Sequence, residues 1–300
     1  MRPARALAVL LLVCALAIAG CGGTTVRHVT RTITRTSTNV PTTPTVEGET
    51  TARSAPAGAA GGSRRHHRSV TARAARSPRA ILREAARALR HAGGYSMHAD
   101  LRQNGARTIV DLSAVSSHRY EASTTTGRSS FELIVLSGRV YLRANIHFWR
   151  AQAGRPRAAR ARARQLANRW LTLPARNGRA VSRSLGTLAP GILARCLTED
   201  HGRLTLERRH PIIDHRRALV VRDAGNAPGA TPSTIAVSAD GAPYPLRYVA
   251  TGRTRRGGRI DVCNNGRGGG ATGTISLGRF GATPAIQPPA GAQAGPSVTA

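Results

Sequence analysis

The sequence contains no lysine, few acidic residues and few aromatic residues. All 45 of its basic residues are therefore arginine, they face only 14 acidic residues, and the formal net charge is +31. Such a charge is common in nucleic-acid-binding proteins, but these arginines are spread along the chain among many alanines and glycines, as a GC-rich coding bias would place them. Aromatic residues make up 3% of the chain, which disfavours stacking platforms for bases or sugars. The composition therefore does not predict a nucleic-acid partner.

Catalytic and cofactor motifs are also missing. No serine lies in a GxSxG motif, and the glycine-rich run at 264–273 is not followed by a helix pattern, so it predicts a hairpin turn rather than a phosphate loop. His210, Asp214 and His215 in "HPIIDH" are potential metal ligands, but Pro211 and the surrounding arginines favour a hairpin connection. We predict that the chain is not an enzyme and that it uses no metal or cofactor.

The N-terminal segment has no apolar run long enough to span a bilayer, but it carries the features of an export signal. Arg2 and Arg5 precede a short apolar run from Leu7 to Ile18. The tetrapeptide that ends at Cys21 resembles the bacterial lipobox, in which the cysteine is diacylated with fatty acids such as palmitate. We predict that residues 1–20 are a signal peptide and that Cys21 is a lipid anchor on the outer face of the cell membrane. The alternative is an ordinary signal peptide that is cut nearby, with an incidental cysteine.

Composition also divides the rest of the chain. Residues 21–76 are rich in threonine, serine and alanine and hold few large apolar side chains, so they bury too little surface to offset the entropy of ordering. We predict a disordered tether there and a disordered tail at 290–300, with one domain at 77–289. A basic domain held at a membrane is expected to meet anionic lipid headgroups or anionic envelope polymers.

The two cysteines of the predicted domain are Cys196 and Cys263. Outside the cytoplasmic membrane they could pair, and the bond would close a loop of 67 residues. Two buried free thiols are the alternative. A metal site is disfavoured, because neither cysteine lies in a CxxC or CxH spacing.

Periodicity predicts an α+β fold. The segment from Ser77 to Gly94 has a serine N-cap, a proline at the first helical position and glycine after its end, which predicts a helix. Alternating apolar and polar residues then predict about eleven strands, interrupted by a helical insertion after Trp149. We predict one long curved antiparallel sheet, with helices packed on its concave face.

The apolar positions of these strands would share one face of the sheet. The helices packed over that face either fill the space or leave an apolar hollow, and core packing is the ordinary role for each residue taken alone. The candidate cavity-lining residues are Met97, Leu101, Leu112, Leu133, Val135, Val140, Leu142, Ile235, Val237 and Leu246.

Several segments together resemble the actinobacterial LppX/LprAFG lipoprotein family. "LSGRVYLRANIHFW" matches a family strand through Gly138, Tyr141, Leu142 and the aromatic pair at 148–149, and "RWLTLP" resembles the segment after its helix. "AVSADGAPYPLRY" and "ISLGRFGATPAIQPP" resemble its later strands, in the same order along the chain. The resemblance implies a half-barrel sheet, similar also to that of the LolA/LolB carriers.

The same resemblance implies an apolar cavity that holds acyl chains of a lipid or lipoglycan and helps to carry them through the cell envelope. A rival hypothesis from another class is a basic scaffold or adhesion module, without a cavity, that binds anionic envelope polymers or a partner protein through its arginines. Salt separates the two, because polymer binding weakens steeply as ionic strength rises and acyl-chain burial does not.

Overall fold

The structure is a computed structural model, and it describes residues 76–103, 105–116, 118–153, 157–174, 189–199, 201–259, 263 and 268–295. The predicted signal peptide, the predicted lipidation site Cys21 and all but the last residue of the predicted tether lie outside the described residues. The described part of the chain has no helix that is both long and apolar enough to cross a membrane.

The first helix, α1, covers Pro78–Arg90 and begins where the sequence predicts. The backbone N–H of Ala80 donates a hydrogen bond to the Ser77 hydroxyl at 3.3 Å, and Pro78 needs no such partner. One side of the helix is fully buried and consists of Ile81, Leu82, Ala85, Ala86 and Leu89.

Thirteen strands form one sheet, and four helices are described. The remaining helices are α2 (Ile146–Ala153), α3 (Arg157–Leu166) and α4 (Pro190–Cys196). Helix α3 lies in the predicted helical insertion, whereas α2 begins at Ile146, before Trp149, in residues predicted to continue a strand. The strands are β1 (Tyr95–Gln103), β2 (Ala106–Ser116), β3 (Arg119–Thr126), β4 (Ser129–Leu136), β5 (Arg139–Ala144), β6 (Leu171–Thr172), β7 (Leu204–Leu206), β8 (Ile212–Ile213), β9 (Arg216–Asp223), β10 (Ser233–Ser238), β11 (Pro245–Ala250), β12 (Thr272–Gly278) and β13 (Gln293–Ala294).

The sheet is curved and does not close. Its strand order is β13-β6-β5-β4-β3-β2-β1-β12-β11-β10-β9-β7, with β8 paired to β9, so the last long strand, β12, lies beside the first, β1. All pairs are antiparallel except β13 with β6. The predicted α+β class with a long curved antiparallel sheet is confirmed.

The strands of the first half have one buried face and one polar face. In β1 the buried residues alternate with accessible ones, and β2 to β4 continue the pattern. We call the face that carries Met97 and Leu112 the inner face, and the face that carries His98 and Asp111 the outer face. Helices α1 and α2 both pack on the inner face, α1 against β7, β10 and β11 and α2 against β4.

The C-terminal tail differs from the prediction. Residues 290–295 are described, and Gln293–Ala294 form a short parallel strand with β6. The N–H of Gln293 donates to the Trp170 carbonyl at 2.9 Å, and that of Gly295 donates to the Thr172 carbonyl at 2.8 Å. Backbone pairing needs no apolar side chain, so composition alone gave no sign of this strand.

Candidate functional site

The predicted cavity-lining residues are all buried, and the structure distributes them over three clusters. Seven of them lie in one cluster on the inner face of β1 to β5, namely Met97, Leu101, Leu112, Leu133, Val135, Val140 and Leu142. Ile235 and Val237 lie in a second inner-face cluster, where they contact α1. Leu246 lies in a third cluster with Val220 and Ala236, so it does not share a surface with the other nine.

A β-bulge explains the position of Leu246. In the pairing of β10 with β11, Ala236 is opposite Arg247 and Val237 is opposite Pro245, which leaves Leu246 as the extra residue. A bulge shifts the alternation of side chains along its strand. Leu246 therefore packs on the outer side of β10 rather than beside Ile235.

The inner face is apolar from one side of the sheet to the other. The strand registers place Ala99, Ile275, Tyr248, Ile235 and Val221 side by side across β1, β12, β11, β10 and β9. This row joins the two inner-face clusters. Long-range pairing of β1 with β12 creates it, and no local sequence pattern specifies that pairing.

The residues in the middle of this row are more accessible to solvent than those at its ends. Ala99, Ile235 and Val221 are buried, whereas Ile275 and Tyr248 are only partly buried. Burial raises the pKa of Tyr248, whose hydroxyl is hydrogen-bonded to Ser233 and Thr231. We call Ile275 and Tyr248 the seam.

Different helices cover the inner face on the two sides of the seam. On one side, Ile81, Leu82 and Ala85 of α1 pack in the cluster that contains Leu219 and Val221. On the other side, Phe148 of α2 lies 5.4 Å from Phe131 of β4, ring centre to ring centre. Helix α4 packs against α1, and its Leu193 also packs against the first cluster. The inner face is therefore covered by several helices rather than by one.

A buried polar group lies at the α2 cover. Trp149 is partly buried against the first cluster, and its ring meets that of Phe148 edge-on at 5.2 Å. Its indole N–H is buried and has no hydrogen-bond partner among the described residues. An unpaired buried donor is costly, so this N–H is a point at which a polar atom of a ligand or water would be stabilised.

The outer face carries a groove of about 570 Å³, which the sequence analysis did not predict. Its walls include Ser96, His98, Asp111, Ser113, Glu121, Ser123, Glu132, Ile134, Trp170, Asp214, Ser276 and Arg279. Most of these residues are the polar alternates of β1 to β4 and β12, so their types were visible in the sequence but their alignment across strands was not.

The groove contains a short row of hydrogen-bonding groups. Ser276, His98 and Asp111 are neighbours across β12, β1 and β2, and His98 Nδ1 lies 2.7 Å from Asp111 Oδ1. The His98 and Asp111 side chains are 56% and 60% exposed, so water competes for this pair. Farther along the groove, the Arg143 guanidinium pairs with Glu132 and lies 4.9 Å from the Trp170 ring centre.

The disulfide prediction agrees with the structure. Cys196 and Cys263 are bonded, with their Cα atoms 5.3 Å apart, and the bond ties the end of α4 to the segment that follows β11. The hairpin prediction for "HPIIDH" is also met, because Ile212 and Ile213 pair with Arg217 and Arg216. Within the described residues, no group of three or more histidine, cysteine or acidic side chains is arranged to hold a metal.

A buried hydrogen-bonded pair, His201 with Asp223, lies close to the disulfide. Asp223 is 3% exposed and accepts hydrogen bonds from the N–H groups of Gly202 at 3.1 Å and Gly225 at 2.8 Å. His201 Nδ1 lies 2.7 Å from Asp223 Oδ2, and its Nε2 lies 2.8 Å from the Leu197 carbonyl oxygen. Both ring nitrogens of His201 thus lie within hydrogen-bond distance of an oxygen atom.

Comparison with known proteins gives distant structural matches. No family model matches the chain, and no curated protein matches its sequence. Among solved structures, LprF from Mycobacterium bovis is similar, with 13% sequence identity and a TM-score of 0.41 over 71% of this chain and 97% of that chain. LprF belongs to the family that the sequence motifs resemble. An uncharacterized conserved protein from Thermus thermophilus is also similar, with 13% identity and a TM-score of 0.32 over 73% of this chain and 98% of that chain.

Proposed function

We propose that this chain is a lipid-anchored protein of the cell envelope that binds a hydrophobic ligand, the acyl chains of a lipid or lipoglycan, and helps to carry it. The observation that supports the proposal is the seam. Ile275 and Tyr248 are partly accessible in the middle of a row of apolar residues, between the strands that α1 covers and those that α2 covers.

The seam is where an acyl chain would enter. The sheet is not closed, and α1 and α2 contact different strands. A small separation of the two helices would open a gap above β12. An acyl chain placed there gains about 25 cal/mol for each Å² of apolar surface removed from water. No covalent step is involved, so the ligand is held and released by burial alone.

The N-terminal segment has a defined part in this proposal. A signal peptide at 1–20 exports the chain, acylated Cys21 holds it at the outer face of the membrane, and residues 21–76 form the tether. Each buried methylene of an acyl anchor contributes about 0.8 kcal/mol. The candidate lining residues on the inner face, without Leu246, then form the walls of the ligand site on both sides of the seam.

The test is to block the seam with one bulky side chain and compare it with a neighbour on the opposite face. Ile275→Trp would occupy the seam, whereas Thr274→Trp adds the same ring on the outer side of β12, because successive residues of a strand point to opposite faces. The full-length chain is expressed in a membrane-containing host, and bound lipid is measured by native mass spectrometry and by solvent extraction, which leaves a covalent anchor in place.

We expect bound lipid in the wild type. The amount of lipid per chain should fall by about fivefold or more in Ile275→Trp and should change little in Thr274→Trp. Equal lipid content in both variants would show that the seam is not the entry point. A wild-type chain without extractable lipid, which instead binds anionic polymers in a salt-sensitive manner, would replace this proposal with the basic scaffold.

A further inference from the structure

The β8–β9 hairpin presents an isolated apolar side chain to solvent. Ile212 is 75% exposed, and among the described residues it is the one large hydrophobic side chain that is exposed. Its neighbour Ile213 is buried with Ala218 and Val220. The hairpin therefore uses one isoleucine to attach itself to the domain and holds the other away from it.

Local geometry fixes this arrangement. Ile212 is paired with Arg217 and Ile213 with Arg216, so Ile212 and Arg217 share the outward side of the ladder. The turn between the strands is Asp214–His215, with φ angles of 48° and 62°. Two successive positive φ values are those of the tight hairpin turn that matches the twist of the strands.

The surroundings of Ile212 are strongly basic. Arg208, Arg209, Arg216 and Arg217 are all exposed and lie within a few residues of it along the chain. Asp214 at the turn is the exposed acidic side chain of the same stretch. An apolar tip with cations beside it is complementary to a surface that is apolar inside and anionic at its boundary.

We propose that this hairpin docks on an anionic lipid bilayer, with Ile212 entering the boundary between headgroups and acyl chains and the four arginines contacting lipid phosphates. The apolar surface of one exposed side chain is far smaller than the roughly 800 Å² that each partner buries in a stable protein interface. The geometry therefore favours a membrane over a protein as the partner. The proposal does not depend on acyl-chain binding at the seam.

The experiment measures how lipid charge changes the protection of the hairpin. The full-length chain is held on nanodiscs by its N-terminal segment, with phosphatidylcholine alone or mixed with phosphatidylglycerol. Hydrogen–deuterium exchange is followed in peptides that cover residues 207–218 and in peptides that cover the turn at Gly127, which serves as an internal control. The variants are Ile212→Ser and Arg217→Glu, with Arg222→Glu as the matched charge control on the same strand.

We expect exchange in the 207–218 peptides to slow by about fivefold or more on the anionic discs, and the Gly127 turn not to change. Ile212→Ser and Arg217→Glu should each remove most of the slowing, and Arg222→Glu should preserve it. Equal exchange on the two kinds of disc would overturn the proposal, as would equal slowing at both turns. Protection that depends on protein concentration in the absence of discs would also overturn it, because a second copy of the chain would then cover the hairpin.

Discussion

The two groups of strands on either side of the seam, which we call the first and second flanks, are built differently. On the first flank, β1 to β5 with α2, strands alternate between buried and accessible residues, so one face meets water. On the second flank, β7 to β11 with α1, four successive residues of β9 and four of β10 are buried, so both faces are covered there. The second flank is thus the better-sealed half of the domain, and the seam lies where the two halves meet.

The disulfide and the buried hydrogen-bonded pair reinforce this difference between the flanks. The disulfide and the buried pair of His201 with Asp223 both lie at the second flank, next to α4. The ion pairs described on the first flank, such as His98 with Asp111 and Asp100 with Arg107, are at the surface. Buried, hydrogen-bonded pairs are costly to break and surface pairs are not. We expect the second flank to act as the fixed body, relative to which the first flank adjusts.

The largest effect should come from removing the disulfide. Replacing Cys196 and Cys263 together with serine releases a loop of 67 residues in the unfolded chain, which lowers the free energy of unfolding by about 4 kcal/mol. Urea denaturation measures the loss. Amide exchange should rise first in β9 and β10 and later in β3 and β4. A loss below about 1 kcal/mol, as strained or poorly placed bonds give, would contradict a fixing role for this bond.

Asp223 should come next. Asp223→Ala leaves His201 and two buried N–H groups without their acceptor, and we expect a loss of about 3 kcal/mol. Asp100→Ala on the first flank is the matched control, with an expected loss below about 1 kcal/mol, because that carboxylate is a partly exposed surface group. Similar losses from the two variants, measured by urea denaturation, would remove the distinction between the flanks.

The sequence predicted the first flank better than the second. Strict alternation, as in Tyr95, Met97, Ala99 and Leu101, assigned the buried face correctly, because each strand pairs with its neighbour along the chain through a short turn. The same logic failed for Leu246. The extra residue of a bulge changes the face of the sheet to which the side chains beyond it point, and alternation does not reveal where a bulge lies.

The candidate site was less predictable than the fold. Alternation predicts that most of the proposed wall residues are buried. The seam, however, depends on which strand lies beside β1, and that strand is β12, near the other end of the domain. The outer groove depends on the same pairing. The exposed Ile212 was visible as one of two adjacent isoleucines, but which of them faces solvent follows from the register with β9.

A glycine on the joining strand tests the contact between the flanks. Gly273 has φ +136° and faces Leu101 of β1, and an added Cβ would overlap the Asp100 carbonyl oxygen and lie 2.9 Å from the Leu101 Cα. We expect Gly273→Ala to cost about 2 kcal/mol, because backbone atoms would have to move apart.

Gly278 on the same strand is the control for that change. A Cβ there would first meet the Ser96 hydroxyl oxygen at 3.7 Å, which is ordinary contact. Gly278→Ala should therefore change the free energy of unfolding by less than about 0.5 kcal/mol. If both alanine variants unfold at the same urea concentration, β12 is not a tight junction between the two flanks.

The smallest effect concerns Asp100 and its dependence on pH. Arg107 donates to both Asp100 carboxylate oxygens, at 2.7 and 2.5 Å, and this hydrogen bonding holds the pKa of Asp100 below its ordinary value. A folded-state pKa below the unfolded value stabilises the fold above the unfolded pKa, near 4, and this contribution is lost as the pH falls through the folded pKa. Since the carboxylate is 35% exposed, the contribution should stay below about 1 kcal/mol.

Urea midpoints of the wild type and Asp100→Asn should therefore differ slightly at pH 6 and converge below pH 4, roughly the ordinary pKa of an aspartate. A difference that persists at low pH would mean that Asp100 acts through packing rather than through its charge.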